Sequence, residues 1–424
     1  MTGVVLSQAD RIRIQRRTVG ILSFGQVLGG VAFGATVSLG ALLAKDISGS
    51  DALSGLATAS VTLGAALAAI PLARLASTRG RRFALTAGNL LALVGIAIVI
   101  SAAAVRSFPL LLTGIVLIGM GNAGNLQSRF AATDLADPAH RGRDLSIVVW
   151  ATTIGGVAGP LLLGAGEQLG RAIGMPVHTG SYLFSLVAQI AAFTLYLVAL
   201  RPDPLLVSRE LPEIASTAGA VECVDRPLAA RYAIFAVAGS HVTMASVMAM
   251  TPVHLVNMTM AGMDHGSGSM GSHPMADVDV TVLVGVTIAL HVAGMYGLSP
   301  VFGILADRWG RLRTVLLGQA LLVVSLCFAM FAGETAWGVM VALILLGLGW
   351  SAATVAGAAL LTEASAPALR TRRQGRSDSL MSLSAAGGAV LAGVILQNFS
   401  YAGLAIAALV VVVAIVVLSP FGRR

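Results

Sequence analysis

Charge is scarce in this 424-residue chain. Asp, Glu, Lys and Arg together make up 11% of it, against roughly a quarter in an average soluble domain. Cysteine is scarcer still: Cys223 and Cys327 are too few for a disulfide framework or a four-cysteine zinc site. Aromatic residues reach only 5%, and lysine occurs once, at Lys45. No nucleotide-binding loop, zinc-protease motif or nucleophile elbow is present. These absences exclude a soluble enzyme, a secreted disulfide module and a disordered chain. The net charge of +8 does not indicate a nucleic-acid partner. Its 26 arginines come in short clusters between apolar runs, with no interleaved aromatics to stack on bases. What fills the chain instead is apolar: 56% hydrophobic residues, 49 glycines and a mean hydropathy of +0.87.

Runs long enough to cross a bilayer, ~20 residues each, fall near 19–43, 52–76, 83–104, 108–130, 145–168 and 180–200. Six more fall near 231–256, 279–304, 314–333, 337–361, 379–397 and 400–419. Twelve spans divide the chain into a bundle at 1–200, a linker at 201–230 and a bundle at 231–424. Four prolines and mixed charges make the linker a solvated connector rather than a helix. With the N-terminus in the cytoplasm, 24 basic residues fall on that side and three on the other (Lys45, Arg106 and Arg171). The positive-inside rule then places both termini in the cytoplasm, with the chain in the cytoplasmic membrane. The basic N-terminal tail enters a full-length span without a small-residue cleavage site, so no removable signal peptide is expected.

One cytoplasmic device recurs in both halves. Between spans eight and nine stands Gly303-Ile-Leu-Ala-Asp307-Arg308-Trp-Gly310-Arg311-Leu-Arg313. Between spans two and three the frame repeats as Ala73-Arg-Leu-Ala-Ser77-Thr78-Arg79-Gly80-Arg81-Arg82, with the acid lost. This pattern, the twelve spans and the six-plus-six split resemble the major facilitator superfamily. The resemblance implies an all-α membrane protein, two six-helix bundles rocking around a midplane site. It also implies gating by Asp307, Arg308, Gly310 and Arg311. There an acid at a span's end caps the neighbouring helix and pairs with arginine, holding the outward-open state.

Methionine is not spread evenly. Nine of the 15 lie between Met244 and Met295, where even spacing would put about two. The same window, opened at His241, holds five of the seven histidines. Thioether and imidazole are ligands that Cu(I) favours over hard cations. In span seven, His241, Met244 and Met248 share one helical stripe, while Met250 points elsewhere. In span eight, His291 and Met295 form an i, i+4 pair near the middle of the membrane. Two such pairs at matching depth can converge on one ion. Between the spans, a Gly/Ser-rich loop at 258–277 carries Met258, Met260, Met263, His265, Met270, His273 and Met275, and reads as an external copper collector. His254 and Met250 read as structural.

Met-x3-Met in span seven with His-x3-Met in span eight is similar to the CcoA-type copper importers of the superfamily, which supply copper for assembly of cbb3-type cytochrome oxidase. That resemblance implies Met244, Met248, His291 and Met295 as the essential pairs. Copper is then cargo rather than cofactor, carried by a monomer in the lipid bilayer and passed to a cytoplasmic copper chaperone.

A different transporter class competes. Gly155-Gly-Val-Ala-Gly159-Pro160-Leu-Leu-Leu-Gly164 in span five resembles the antiporter motif of superfamily drug exporters, which points to proton-coupled efflux of hydrophobic compounds or of metal. Against drug efflux, Glu167 alone among 19 acids falls inside a span away from its cytoplasmic end. His291 is then the candidate proton carrier, its charge being movable near neutral pH. In span four, Asn122 and Asn125 mark either the translocation path or hydrogen bonds between helices, and Arg129 is expected to pair near the gate with Asp134 or a neighbouring loop. A membrane enzyme or receptor finds no catalytic constellation to support it.

Overall fold

A computed structural model describes residues 8–49, 51–176, 179–210, 225–264 and 286–423, and they are overwhelmingly helical. In the first half stand α1 (Gln8–Ser48), α2 (Asp51–Arg79), α3 (Arg81–Ala104), α4 (Phe108–Ala131), α5 (Arg141–Leu161), α6 (Leu163–Ala172) and α7 (Ser181–Ala199). A short α8 (Pro204–Glu210) follows. The second half holds α9 (Pro227–Asp264), α10 (Val286–Trp309), α11 (Arg311–Phe331), α12 (Ala336–Glu363) and α13 (Pro367–Val417). Among the described residues, nine helices are long and apolar enough to cross a membrane. Within lipid a backbone must satisfy its own polar groups, so apolar runs of this length become helices.

Helix breaks fall where the chain chemistry requires them. α5 and α6 part at Leu162, just after Pro160, whose ring excludes it from continuing the backbone ladder. α10 is interrupted by a turn at Gly297-Leu298 ahead of Pro300. α13 is two helices joined at a kink, where Ser400 leaves helical geometry with a φ of 64° that is rare for a residue with a side chain. The expected spans at 379–397 and 400–419 thus stand on either side of this kink, and the first of them begins twelve residues earlier than its apolar run. Gly80 and Gly310 sit at matching positions before α3 and α11 with φ of 92° and 100°. Both repeats use glycine for the same left-handed turn.

Two expectations are corrected. The linker is not wholly unstructured: Asp203 Oδ1 accepts from the Leu205 and Leu206 amides at 3.0 and 3.3 Å, and with Pro204 leading the first turn this starts α8. The Met/His segment is not loop from residue 258 onward. α9 continues through Asp264, with a single glycine, Gly262, in its last turn before the Gly/Ser run.

Helices α1 to α4 and α7 gather round a core that includes Leu39, Ile96 and Ile115. Helices α9 to α13 gather round a second that includes Leu322, Leu346 and Val412. A third core joins the two halves, with Phe130, Leu145 and Val149 from the first against Ala233, Val355 and Leu361 of the second. It lies toward the arginine-rich end, called here the basic end.

Candidate functional site

The Met/His group is built by α9, α10 and α12. Gly294 on α10 and Gly347 on α12 let these helices meet backbone to backbone. A Cβ on Gly347 would stand 3.0 Å from the Met295 nitrogen. That approach brings His291, fully buried, within reach of α12: its Nδ1 lies 2.8 Å from the Leu343 carbonyl. A carbonyl can only accept, so Nδ1 carries the proton and Nε2 keeps its lone pair. Nε2 is buried without a hydrogen-bond partner. Met244 and Met295 are both buried in the same cluster, with Met248 and Met258 packed against it.

His241 is placed differently. Trp350 Nε1 donates to its Nδ1 at 2.7 Å, so the lone pair offered there is in use. Trp350 also meets Tyr296 edge-on, with centroids 5.7 Å apart. His254 lies outside this group. Its Nε2 donates to the Gly333 carbonyl at 2.8 Å, and its ring stacks on Tyr401 at 4.1 Å. Met260 and Met263 belong to α9, while His265, Met270, His273 and Met275 lie outside the described residues. Among the described residues, no group of three His, Cys, Asp or Glu side chains is assembled. A soft ion here would depend on one imidazole and the thioethers.

The second arrangement joins the halves at the basic end. Asp307, at the end of α10, accepts the backbone amides of Gly142 and Arg143 at 2.9 Å each. A carboxylate thus caps the start of α5, in the opposite half, where the helix dipole favours negative charge. Arg311 lies 3.6 Å from Asp307, pairs with Glu363 at 2.5 Å and donates to the Pro138 carbonyl at 2.6 Å. Arg308 is exposed, and Gly310 supplies the turn between them. Where the frame repeats, Ser77 only back-bonds the Arg74 carbonyl within its own helix, at 2.7 Å.

Beside this cap runs a buried polar ladder. Arg81 pairs with Asp134 at 2.8 Å and donates to Gln374 at 2.8 Å, and Gln374 donates to Thr362 at 3.3 Å. Arg129 on α4 pairs with Asp378 on α13, and both are buried. Of the partners expected for Arg129, Asp134 is taken by Arg81, projecting from the start of α3, and Arg129 reaches across the halves instead. Asp378 is the residue that the sequence reading missed. It stands one position before the expected span and next to the basic 370–376 cluster, so it counted as loop. With α13 starting at Pro367, it lies about 16 Å along the helix. Its Oδ2 and the Arg129 Nε have no hydrogen-bond partner. Asn125 is buried against Gly29, and its carbonyl accepts from Gln26 at 2.9 Å, while Asn122 is half-buried.

The sequence profile of the Major Facilitator Superfamily matches residues 22–276 and 268–423. The chain belongs to that superfamily. It is a multi-pass membrane protein of a family of secondary transporters, not an enzyme. It is 34% identical over 415 residues to the uncharacterised MFS-type transporter YddS of Bacillus subtilis, covering 96% of this chain and 91% of that one. It is 30% identical over 426 residues to the riboflavin transporter RfnT of Brucella anthropi, covering 96% and 97%. Among solved structures of the superfamily fold, the human organic anion transporter MFSD10 superposes with a TM-score of 0.73 at 16% identity, over 96% and 99% of the two chains. A bacterial homologue of the iron transporter ferroportin in an outward-facing state superposes with a TM-score of 0.65 at 16% identity, over 96% and 100%.

Proposed function

We propose that this superfamily transporter imports copper, taken as Cu(I), through Met244, Met248, His291 and Met295. The observation that carries the reading is the His291 imidazole. Its Nδ1–H is held by the Leu343 carbonyl and its Nε2 lone pair is buried without a hydrogen-bond partner, while Met295 one turn on shares a core with Met244 and Met248. An unpaired nitrogen in an apolar core costs about 1–3 kcal/mol, and a soft cation would relieve that cost. Neutral ligands few in number suit release as well as capture. The positive-inside rule puts the basic end in the cytoplasm. The contacts of Asp307, Arg129 and Arg81 then seal the cytoplasmic side and hold the site open to the outside. The external Met/His segment would deliver copper, and a cytoplasmic chaperone would receive it.

A second reading has its own support. A relative is named for riboflavin transport, and Trp350, Tyr296 and His241 form an aromatic group. These are features that a planar organic solute would use for stacking and hydrogen bonding.

Uptake of radioactive copper and of labelled riboflavin, in a host lacking its own carriers, separates the two. Copper uptake abolished by either His291→Ala/Met295→Ala or Met244→Ala/Met248→Ala supports the first reading. Riboflavin uptake that survives both but fails with Trp350→Ala establishes the second. Copper falling below the empty-vector level reverses the direction and makes the protein an exporter.

A further inference from the structure

A cavity of about 320 Å³ opens on the first half at the basic end, away from the sites above. One wall is the start of α1, through Asp10, Arg13, Ile14, Arg17, Thr18 and Ile21. The other is the end of α7 and the residues after it, Ala199, Leu200, Arg201 and Pro202. Both walls pass from apolar to charged at the same level. Arg17 is the last charged residue before the apolar run of α1, and Arg201 is the first after that of α7. The level is thus where a bilayer's hydrocarbon gives way to headgroups.

Three arginines face a single acid across the cavity. Arg17 is braced by its bond to the Ala199 carbonyl at 3.2 Å, which fixes its guanidinium at the rim. Arg13 and Arg201 are exposed, and the Arg201 backbone amide donates to the same Ala199 carbonyl at 2.8 Å. On the membrane side the α1 stripe continues from Arg17 through Ile21 to Phe24, which is 56% exposed, and the neighbouring α7 presents Val198, 61% exposed. A cationic rim above an exposed apolar track has the two-part chemistry of an amphiphile with an anionic head.

We infer that this cavity is a binding site for an anionic phospholipid of the leaflet at the basic end. The phosphate lies among Arg13, Arg17 and Arg201, and an acyl chain lies along Ile21, Phe24 and Val198. Arginine's planar fork suits a phosphate diester, which it can grip through two N–H groups at once. The bound lipid would clamp the N-terminal extension of α1 to the connection between α7 and α8, and so brace the first half. This site does not depend on what cargo the transporter carries.

The test uses the purified full chain, titrated with phosphatidylglycerol or phosphatidylcholine and read by native mass spectrometry. Phosphatidylglycerol should be retained in preference to phosphatidylcholine. Arg13→Ala/Arg201→Ala should weaken it about 30-fold, each arginine contributing roughly fivefold at an anionic lipid surface. Arg372→Ala/Arg376→Ala, which removes two exposed arginines elsewhere at the same end, should leave retention unchanged. Equal retention of both lipids would overturn the proposal, and so would phosphatidylglycerol binding that ignores Arg13→Ala/Arg201→Ala. Millimolar inorganic phosphate displacing phosphatidylglycerol from the wild type would overturn the lipid assignment and show a site for soluble phosphate.

Discussion

The Arg129–Asp378 pair gives the sharpest prediction, because it exists only while the two halves are closed at the basic end. Asp378→Asn removes the charge and leaves the Arg129 guanidinium buried without a counter-charge. Removing one partner of a buried pair costs about 3–5 kcal/mol. The retained amide oxygen of asparagine can still accept a hydrogen bond, which favours the lower figure. The cost applies to the sealed state alone, since separation of the halves lets water reach Arg129. The balance between sealed and open should therefore move roughly 100-fold or more toward open. The paired variant Arg129→Met/Asp378→Leu should behave differently. It leaves no stranded charge, and apolar replacements of a buried ion pair are often neutral, so the sealed state should persist. The assay is a pulsed spin-label distance measurement in lipid nanodiscs. Labels sit on cysteines introduced at Thr78 on α2 and Leu369 on α13, both exposed at the basic end, with Cys223 and Cys327 replaced by serine. Wild type and the paired variant should give the short distance, and Asp378→Asn mainly a longer one. A single variant indistinguishable from wild type, or a paired variant more open than the single, would refute the reasoning.

Two further outcomes follow from neighbouring geometry. A Cβ on Gly303 would collide with Ser146 and the Gly142 carbonyl of the other half, so Gly303→Val should lengthen the same label distance. Its shift should be smaller than that of Asp378→Asn, since overpacking costs about 1–3 kcal/mol. At the linker's end, Arg373 grips Asp225 at 2.5 and 2.8 Å and, with the Ala366 amide, holds its carboxyl below the ordinary range. A depressed folded-state pKa stabilises above the unfolded value near 3.9 and is lost as pH falls through the folded one. Arg373→Ala should accordingly lower the melting temperature at pH 7, by thermal unfolding in detergent, with the difference shrinking as pH falls through the folded-state value.

Much of the fold could be read directly, because lipid leaves the backbone few choices. The expected spans at 83–104 and 108–130 differ by no more than two residues from α3 and α4. What was hidden depends on contacts between distant segments. Helices outrun their apolar stretches wherever polar residues find partners across the bundle, and this is how Asp378 passed for a loop residue. His291 was conspicuous as a histidine at mid-membrane. Its orientation was not, since that is set by a carbonyl 52 positions away. His241 looked equivalent from its helical stripe, yet Trp350, 109 positions on, claims its Nδ1. Helical periodicity says which residues share a face; it does not say which of them already have a partner there.

The cap that Asp307 places on α5 has an evolutionary consequence. The groups it accepts from are the main-chain amides of Gly142 and Arg143, and every amino acid except proline supplies the same amide. One side of the seam is thus written in backbone and is indifferent to the side chain at Arg143. The other side rests on one carboxylate. Substitutions should accumulate freely at 143 without loosening the junction, while a change at Asp307 has nothing to fall back on. The two faces of a single contact carry very unequal mutational risk.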